Sequence, residues 1–286
     1  MEKENFRIIA YIAGTQGLLT LKELIKNKAI LDVVLSHQTD NSEIISICES
    51  HKISWSFVDK SHTQYCRDPL VPSLLICSSF PEKIASEKYE SLSHGGVNIH
   101  ASVLPKYRGK NSDVWALIND EKLLGVTVHK LDDRFDNGDI LKIYRFAIND
   151  EMKNAEIYDI ALSFIPDIVK GLLDGELLRS SEPKEGENIY WRKRSLADSK
   201  IDWRQTSRQV FLFIRALGRD PIYAYSIKNG KRLQIQEARM TSLKVEAKCG
   251  TIVRNEGHFC VVCGDGYLLR LIEFKGTNLL SGDNLA

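Results

Sequence analysis

The sequence predicts an α/β fold in which a mostly parallel sheet is flanked by helices and followed by a small C-terminal β-rich domain. In the first part of the chain, apolar runs of strand length alternate with segments of helical periodicity. In the last part, short alternating runs are separated by Asn-Gly and Asp-Gly turns, which favour hairpins. With 286 residues, the chain is long enough for one large domain and one small domain.

The N-terminal elements follow one another as strand, helix and strand. Residues 6–12 form an apolar run typical of a buried parallel strand, and residues 18–26 continue with helical periodicity. The same patterns predict a strand at 30–36, a helix at 42–51, and strands at 55–58 and 74–78. This alternation implies right-handed βαβ units and a Rossmann-like sheet, with the active site at the carboxyl ends of the strands.

The second half of the chain is predicted to contain a long helix, a linker and the β-rich region. Residues 154–173 have the pattern of one amphipathic helix, and the charged, turn-rich stretch 179–188 indicates a linker. A helix at 207–217 precedes strands at 233–238, 250–253, 259–262 and 268–274, with turns at Asn229-Gly230 and Asp265-Gly266. We therefore expect a Rossmann-like domain at 1–178, a connecting segment at 179–205 and a barrel-like β-rich domain at 206–286.

The composition argues against a nucleic-acid or membrane partner. Lys plus Arg number 39 and Asp plus Glu number 38, so the formal net charge is +1 and no strong overall field is expected. No apolar run reaches the roughly 18 residues that a membrane span requires, and the charged first residues do not resemble a signal peptide. We expect a cytoplasmic protein.

The six cysteines, including Cys66, lie mostly within apolar patterns. Cys260 and Cys263 have CxxC spacing, but no second pair or histidine cluster accompanies them. A buried strand with reduced thiols explains this spacing better than zinc or redox chemistry.

The stretch from Gly95 to Gly109 places three polar groups in alternation with apolar residues. On a strand, Asn98, His100 and Ser102 would project from one face while the residues between them anchor the other. An amide can stabilise an oxyanion, and an imidazole titrates near neutral pH. We expect Ser102 to bond the local backbone, because no base lies beside it in the sequence.

A second segment adds an acidic loop to this set. Residues 125–131 alternate like another buried strand and include His129, to which we assign a structural role. An acidic loop follows, in which Asp136-Asn137-Gly138 is turn chemistry because Asn and Gly tolerate positive φ. Taken alone, the neighbouring carboxylates would be interpreted as a solvated turn.

Together, these motifs resemble the folate-dependent formyltransferase family. The matching residues are Asn-Ile-His-x-Ser-Val-Leu-Pro-x-Tyr-Arg-Gly at 98–109, Gly-Val-Thr-x-His at 125–129 and the loop ending at Asp139. The match runs from about residue 80 to 141, with a weaker match at the N-terminus and at 190–224. The resemblance implies the fold of methionyl-tRNA formyltransferase and transfer of a formyl group from 10-formyltetrahydrofolate to an amine, with no metal.

The resemblance also implies a catalytic triplet of Asn98, His100 and Asp136. Asn98 would donate its amide N–H to the oxyanion, and His100 would accept the proton of the amine. Asp136 would orient the imidazole, raise its pKa or hold a water that relays the proton.

The same resemblance places the folate in two loops. Phe80, Lys83 and Ile84 belong to the first loop. Leu131, Asp132 and Asp133 belong to the second, which ends at Asp136. A flat pterin would be held by backbone groups in an apolar slot, so side chains there can vary. This chain departs from the commoner pattern at Lys83 and at Asn137, where Thr is frequent.

The amine substrate is indicated by the residues after the catalytic strand. The run Trp115-Ala116-Leu117-Ile118-Asn119, together with Tyr-Trp at 190–191, resembles the sugar-nucleotide branch of the family. The expected substrate-binding residues offer cations for a phosphate and aromatic rings for a base, and they are Tyr107, Arg108, Lys110, Trp115 and Tyr223. This branch implies a nucleoside-diphosphate-linked amino sugar, such as a dTDP-sugar, O-antigen (surface-polysaccharide) biosynthesis and a homodimer.

Three other functions stay open at this stage. They are methionyl-tRNA formyltransferase, 10-formyltetrahydrofolate hydrolase and a catalytically silent sugar-nucleotide-binding module. The basic insertion of the tRNA branch is absent from the first loops, and hydrolases usually carry an added N-terminal regulatory domain, whereas this chain starts at the first strand. The nucleobase and the position of the amine on the sugar ring also stay open.

Overall fold

The computed structural model describes residues 7–58, 73–218 and 223–285. Cys66 and the first residue of the predicted strand 6–12 lie outside this part of the chain. The chain forms two compact units, each assembled from three stretches. The first unit comprises Met1–Gly109, Leu124–Phe146 and Asp159–Tyr190, and the second comprises Lys110–Leu123, Ala147–Tyr158 and Trp191–Ala286. The domain boundaries expected from the sequence stay a prediction.

Strands and helices alternate in the first half of the chain, and strands dominate its end. The strands are β1 Arg7–Ile12, β2 Ile30–Leu35, β3 Ser54–Phe57, β4 Ser73–Ser78, β5 Gly96–His100, β6 Arg108–Gly109, β7 Leu123–Lys130, β8 Ile140–Ala147, β9 Tyr190–Trp191, β10 Ala224–Lys228, β11 Lys231–Lys244, β12 Ile252–Asn255, β13 His258–Val262 and β14 Tyr267–Lys275. The helices are α1 Gly14–Lys26, α2 Ser42–Ser50, α3 Ser112–Ile118, α4 Asn154–Leu162, α5 Ile165–Leu173 and α6 Ser207–Ala216.

The main sheet has seven strands in the order β3-β2-β1-β4-β5-β7-β8. The neighbours from β3 to β5 are parallel, whereas β7 runs antiparallel to β5. The two central strands β1 and β4 are almost entirely buried, as their apolar runs predict for strands covered on both faces. Helix α1 packs against both of them and against α5.

The predicted helix 154–173 is wrong as a single element. The structure has two helices, α4 and α5, separated at Ser163 and Phe164. Pro166 lies in the first turn of α5. Proline has no amide hydrogen to give to the carbonyl four residues earlier, and its ring collides with that carbonyl. The helix therefore ends and begins again, although the apolar periodicity continues through the break.

The second unit is built on an antiparallel sheet in the order β10-β11-β14-β13-β12. Asn229 and Gly230 both have positive φ, as a two-residue hairpin turn requires, and they join β10 to β11 where Lys228 pairs with Lys231. Strand β11 is longer than the predicted 233–238 because it pairs with β10 and then continues along β14. Helix α6 packs against β11 and β14. The predicted fold class is confirmed in both parts.

Helix α6 begins with a reciprocal cap. The Thr206 hydroxyl accepts from the backbone N–H of Gln209, and the Gln209 side chain accepts from the backbone N–H of Thr206. We expect Thr206→Ala to lower the free energy of unfolding of this unit by about 1 kcal/mol, because the backbone N–H of Gln209 loses its acceptor. Urea denaturation checks this, with Ser242→Ala, at an exposed position of β11, as the comparison. Equal stability of both variants would contradict a role of the cap.

Candidate active site

The catalytic residues expected from the sequence meet at the carboxyl end of β5. Asn98 and His100 lie two residues apart on this strand, so their side chains share one face. The antiparallel partner β7 places His129 opposite Asn98 and Thr127 opposite His100. The loop between β7 and β8 then returns Asp136 to the same face. The structure therefore brings all three members of the expected triplet together.

Asp136 is the common partner of this cluster. Its Oδ1 lies 3.1 Å from Nδ2 of Asn98, 3.5 Å from Nδ1 of His100 and 3.6 Å from Nε2 of His129. Its Oδ2 accepts a hydrogen bond of 2.8 Å from the backbone N–H of Gly109. Burial alone would raise the pKa of Asp136. The electrostatic interaction with His100, followed by the contact with His129 and the Gly109 N–H, outweighs burial and holds the pKa well below its usual value.

The backbone at Asp136 is in the left-handed region, with φ of +51°. The sequence predicted positive φ at Asn137 and Gly138 instead, so the turn is displaced by one residue. Gly138 is required for another reason: a Cβ there would overlap the carbonyl of Lys130. The loop is closed at this point by the bond from Lys130 N–H to the Asp139 carbonyl, 2.9 Å long. A left-handed aspartate costs about 1 kcal/mol, which its surroundings must offset.

A main-chain carbonyl determines which ring nitrogen of His100 carries the hydrogen. Its Nε2 lies 2.8 Å from the carbonyl oxygen of Tyr107, and a carbonyl only accepts, so Nε2 carries a hydrogen. The ring atom left to take up a further proton is Nδ1, which faces Asp136. The Ser102 hydroxyl donates to the same carbonyl at 2.8 Å, which confirms its predicted bonding to the local backbone.

His129 is part of the cluster, although the sequence analysis gave it only a structural role. Its Nδ1 donates to the carbonyl of Lys130 at 2.8 Å, so Nε2 is free to accept from Asn98 at 3.1 Å. The two amide hydrogens of Asn98 are thus directed at His129 and Asp136. Turning the amide around would place its oxygen against the Asp136 carboxylate, so these partners fix its orientation. This contact depends on the register of β5 against β7, and that register cannot be predicted from the sequence pattern.

A buried polar network behind β5 was also missed by the sequence analysis. The side chain of Gln16 in α1 donates to the Ser78 hydroxyl at 3.0 Å and to the carbonyl of Ile99 at 2.9 Å. Thr20 bonds the Gln16 carbonyl and the Ser78 hydroxyl, each at 2.9 Å. Because Ile99 lies between Asn98 and His100, this network holds the strand that carries both.

The residues expected to bind the folate separate into two groups. Phe80 and Ile84 belong to a buried apolar cluster, and Leu131 packs against it. The side chain of Asp132 caps its own loop through the N–H of Arg134 and the amide of Asn137. Lys83 and Asp133 are exposed. The structure therefore brings the three apolar members together and leaves the three charged ones outside the cluster.

The cluster that contains Phe80 also contains Cys77, which pairs in register with Asn98. Burial raises the pKa of the Cys77 thiol to about 12, and the Asp136 charge acts in the same direction. This thiol therefore stays protonated and is a packing group.

The expected substrate-binding residues are distributed over both units. In the first unit, Tyr107 is buried and serves the site through its carbonyl, whereas Arg108 is half-buried. In the second unit, Trp115 stacks on Trp191 with ring centroids 4.8 Å apart, and its indole N–H donates to the carbonyl of Arg192. Lys110 and Tyr223, also in the second unit, are both half-buried.

Residues 7–58, 73–218 and 223–285 contain neither a membrane-spanning helix nor a metal-binding cluster. No helix there is long and apolar enough to cross a membrane. No group of three or more His, Cys, Asp or Glu side chains in these ranges could hold a metal ion. The five cysteines in the same ranges are free thiols, and Cys260 and Cys263 are buried at β13 and its end, as predicted.

Comparison with known proteins gives the family. Residues 24–164 match the formyl transferase model, and residues 193–286 match the formyl transferase C-terminal domain. The methionyl-tRNA formyltransferase of Thermodesulfovibrio yellowstonii is 32% identical over 216 residues, which cover 74% of this chain and 69% of that protein. The chain belongs to the formyltransferase family.

Solved formyltransferases share the fold of this one. WlaRD, a sugar 3N-formyltransferase crystallised with dTDP and 5-N-formyl-THF, superposes with a TM-score of 0.72 at 19% identity, covering 96% of this chain and 99% of that chain. An N-formyltransferase from Helicobacter canadensis, in complex with folinic acid and dTDP-3-aminofucose, gives a TM-score of 0.69 at 18% identity, covering 93% and 98% of the two chains.

The lowered pKa of Asp136 predicts how stability depends on pH. A carboxyl whose pKa is depressed by folding stabilises the protein above its unfolded-state pKa of about 4, and this stabilisation is lost as the pH falls. We expect the stability advantage of the wild type over Asp136→Asn to shrink as the pH falls from about 5 to 3. Thermal melting across this range measures it. Asp139→Asn is the control, because that side chain is 75% exposed. An advantage that is unchanged at pH 3 would contradict the ionised, buried carboxylate.

Proposed function

We propose that this formyltransferase transfers the formyl group of 10-formyltetrahydrofolate to the amine of a nucleoside-diphosphate-linked amino sugar. The observation that carries the proposal is the cluster of Asn98, His100 and Asp136, joined by contacts of 3.1 and 3.5 Å at the carboxyl end of β5. In a parallel α/β sheet this edge is where ligands bind.

The surroundings of the cluster fit a folate. The apolar side chains of Phe80, Ile84 and Leu131 pack in one cluster, and in this proposal they line the slot that takes the flat ring. The slot adjoins the catalytic face, because Cys77 of the same cluster pairs with Asn98 and the N–H of Leu131 bonds the carbonyl of Gly96. When bound, the folate supplies the formyl carbon that the amine attacks.

His100 takes the proton from the attacking amine and returns it to N10 of the folate, which needs a proton when its bond to the formyl carbon breaks. Its Nε2 hydrogen is committed to the Tyr107 carbonyl, so the proton is accepted at Nδ1. The charge that forms on the ring faces the Asp136 carboxylate, which is ionised before the reaction starts. A carboxylate that is already in place stabilises the imidazolium without rearrangement.

Asn98 supplies the donor for the oxyanion. Both of its amide hydrogens have partners, Asp136 and His129, so donation to the oxyanion requires the exchange of one bond. Breaking the hydrogen bond to the neutral His129 acceptor costs less free energy than breaking the bond to the charged Asp136, because hydrogen bonds to ions are stronger. His129 thus holds the amide ready, and one such donor contributes roughly 3–4 kcal/mol to the transition state.

The choice of a sugar rests on charge and on chain architecture. A net charge of +1 provides little of the basic surface that a tRNA stem requires. WlaRD, named as a sugar 3N-formyltransferase, covers this chain almost end to end. We further propose a cytoplasmic homodimer that acts in surface-polysaccharide synthesis.

Methionyl-tRNA formyltransferase is the second candidate. It is favoured by the relative from Thermodesulfovibrio yellowstonii, which carries that name and is more similar in sequence than the solved sugar enzymes are. Both candidates use the same formyl donor and the same catalytic groups, so only the amine substrate separates them.

We expect His100→Ala and Asn98→Ala each to lower kcat by about two to four decades, because one removes the base and the other the oxyanion donor. Binding of the nucleoside diphosphate should change little, since neither side chain is needed to hold it. Steady-state kinetics and calorimetry measure the two effects, and His51→Ala, on an exposed histidine after α2, is the control. A variant that folds and keeps wild-type turnover would remove its residue from the mechanism.

The amine class is decided by a formylation assay at moderate salt. We expect turnover of a nucleotide-linked amino sugar and none of initiator methionyl-tRNA, because a tRNA needs many phosphate contacts and a nucleotide needs few. A thymidine, uridine or guanosine diphosphate should also raise the melting temperature. Turnover of charged tRNA alone would establish the second candidate.

A further inference from the structure

Arg108 directs its guanidinium at the loop that carries Asp136. Its Nε and Nη2 donate to the carbonyl oxygen of Phe135 at 3.0 and 2.7 Å, and its Nη1 donates to the side chain of Asn188 at 2.8 Å. The guanidinium also lies over the ring of Tyr190, 6.0 Å from its centroid. Three of its five N–H groups are therefore used within the first unit.

The carbonyl that Arg108 holds determines the conformation of Asp136. The Phe135 oxygen and the Asp136 nitrogen belong to one planar peptide group. Two converging hydrogen bonds fix the plane of this group, and with it the torsion φ of Asp136, which is +51°. An aspartate leaves this left-handed region readily unless its surroundings hold it there.

The next residue acts on the same loop from the main chain. The backbone N–H of Gly109 donates to Oδ2 of Asp136 at 2.8 Å, so residues 108 and 109 fix both the peptide before Asp136 and its carboxylate. The segment before β9 supports this arrangement. The Ile189 carbonyl accepts from the backbone N–H of Arg108, and the Lys184 ammonium donates to the carbonyl of Asn137 at 2.6 Å.

We propose that Arg108 is a positioning residue that sets the Asp136 carboxylate against His100, and that it is not primarily a phosphate clamp. The sequence analysis expected a phosphate contact because an arginine suits bidentate anions. The structure instead directs the forked donors at a backbone carbonyl next to the catalytic carboxylate. This inference rests on the proposed formyl transfer, in which that carboxylate stabilises the imidazolium.

The test is Arg108→Lys, because one ammonium cannot reproduce two converging bonds to one carbonyl and a third to Asn188. We expect kcat to fall by about 10- to 100-fold, since small misplacements of catalytic groups are costly. The KM for the amine substrate and the Kd for the nucleoside diphosphate should stay within about twofold. A phosphate clamp would give the opposite result, with weaker binding and an unchanged kcat, and that result would overturn the proposal.

Amide hydrogen exchange tests the same inference without any substrate. The amides of Gly109 and of residues 136–139 should exchange faster in Arg108→Lys than in the wild type, because the loop has lost its anchor. Asn188→Ala, which removes only one of the partners of Arg108, should shift both kcat and exchange in the same direction by a smaller factor. Arg145→Lys is the matched control, because Arg145 pairs with Glu182 and not with the loop. Unchanged exchange in both Arg108→Lys and Asn188→Ala would refute the positioning role.

The two proposals fail in different ways. If the wild type formylates neither amine class, the proposed function is wrong, and the exchange measurement still decides whether Arg108 holds the loop. If the wild type is active and the Arg108→Lys enzyme keeps its kcat, the proposed function stands and the positioning role is wrong.

Discussion

The site depends on a carboxylate that stays ionised although only 9% of its side chain is exposed. Removing a charge from water carries a large desolvation free energy. For Asp136 it is offset by interactions with the Gly109 N–H, the Asn98 amide and the facing ring of His100. Asn98 and His100 lie on β5 and Gly109 lies on β6, so one carboxylate ties the positions of these two strands to each other. The left-handed backbone at Asp136 follows from the same requirement, because it turns the carboxylate toward all of these partners at once.

Two main-chain carbonyls give the two histidines different tautomers. The carbonyl of Tyr107 takes the Nε2 hydrogen of His100, and the carbonyl of Lys130 takes the Nδ1 hydrogen of His129. Opposite ring atoms are therefore left for chemistry, Nδ1 in His100 and Nε2 in His129. The first faces the carboxylate and suits proton transfer, whereas the second faces an amide and suits its orientation. Identical side chains on neighbouring strands thus differ in tautomer because different backbone carbonyls surround them.

The sequence predicted those features that depend on local pattern. Apolar runs located β1 and β4, the Asn229-Gly230 pair located a hairpin, and the alternation around Asn98 placed two candidate catalytic groups on one face. It could not predict features that depend on pairing across the chain. His129 entered the site through the register of β7 against β5, and Gln16 reached Ile99 across 83 residues. Pro166 is a local signal for the break between α4 and α5. The continuous helical periodicity of residues 154–173 nevertheless favoured a single helix.

The path of the chain between β6 and β7 limits how segments can be recombined between related proteins. After Gly109 the chain leaves the first unit, forms α3 as part of the second, and returns at Leu124 to build β7. The apolar side of α3, with Val114, Ala116 and Leu117 buried, packs against α6, which lies beyond Trp191. A recombination at a single junction near residue 191 would therefore give α3 a foreign partner. The C-terminal region can therefore be exchanged only with relatives whose α6 packs against the α3 of this chain.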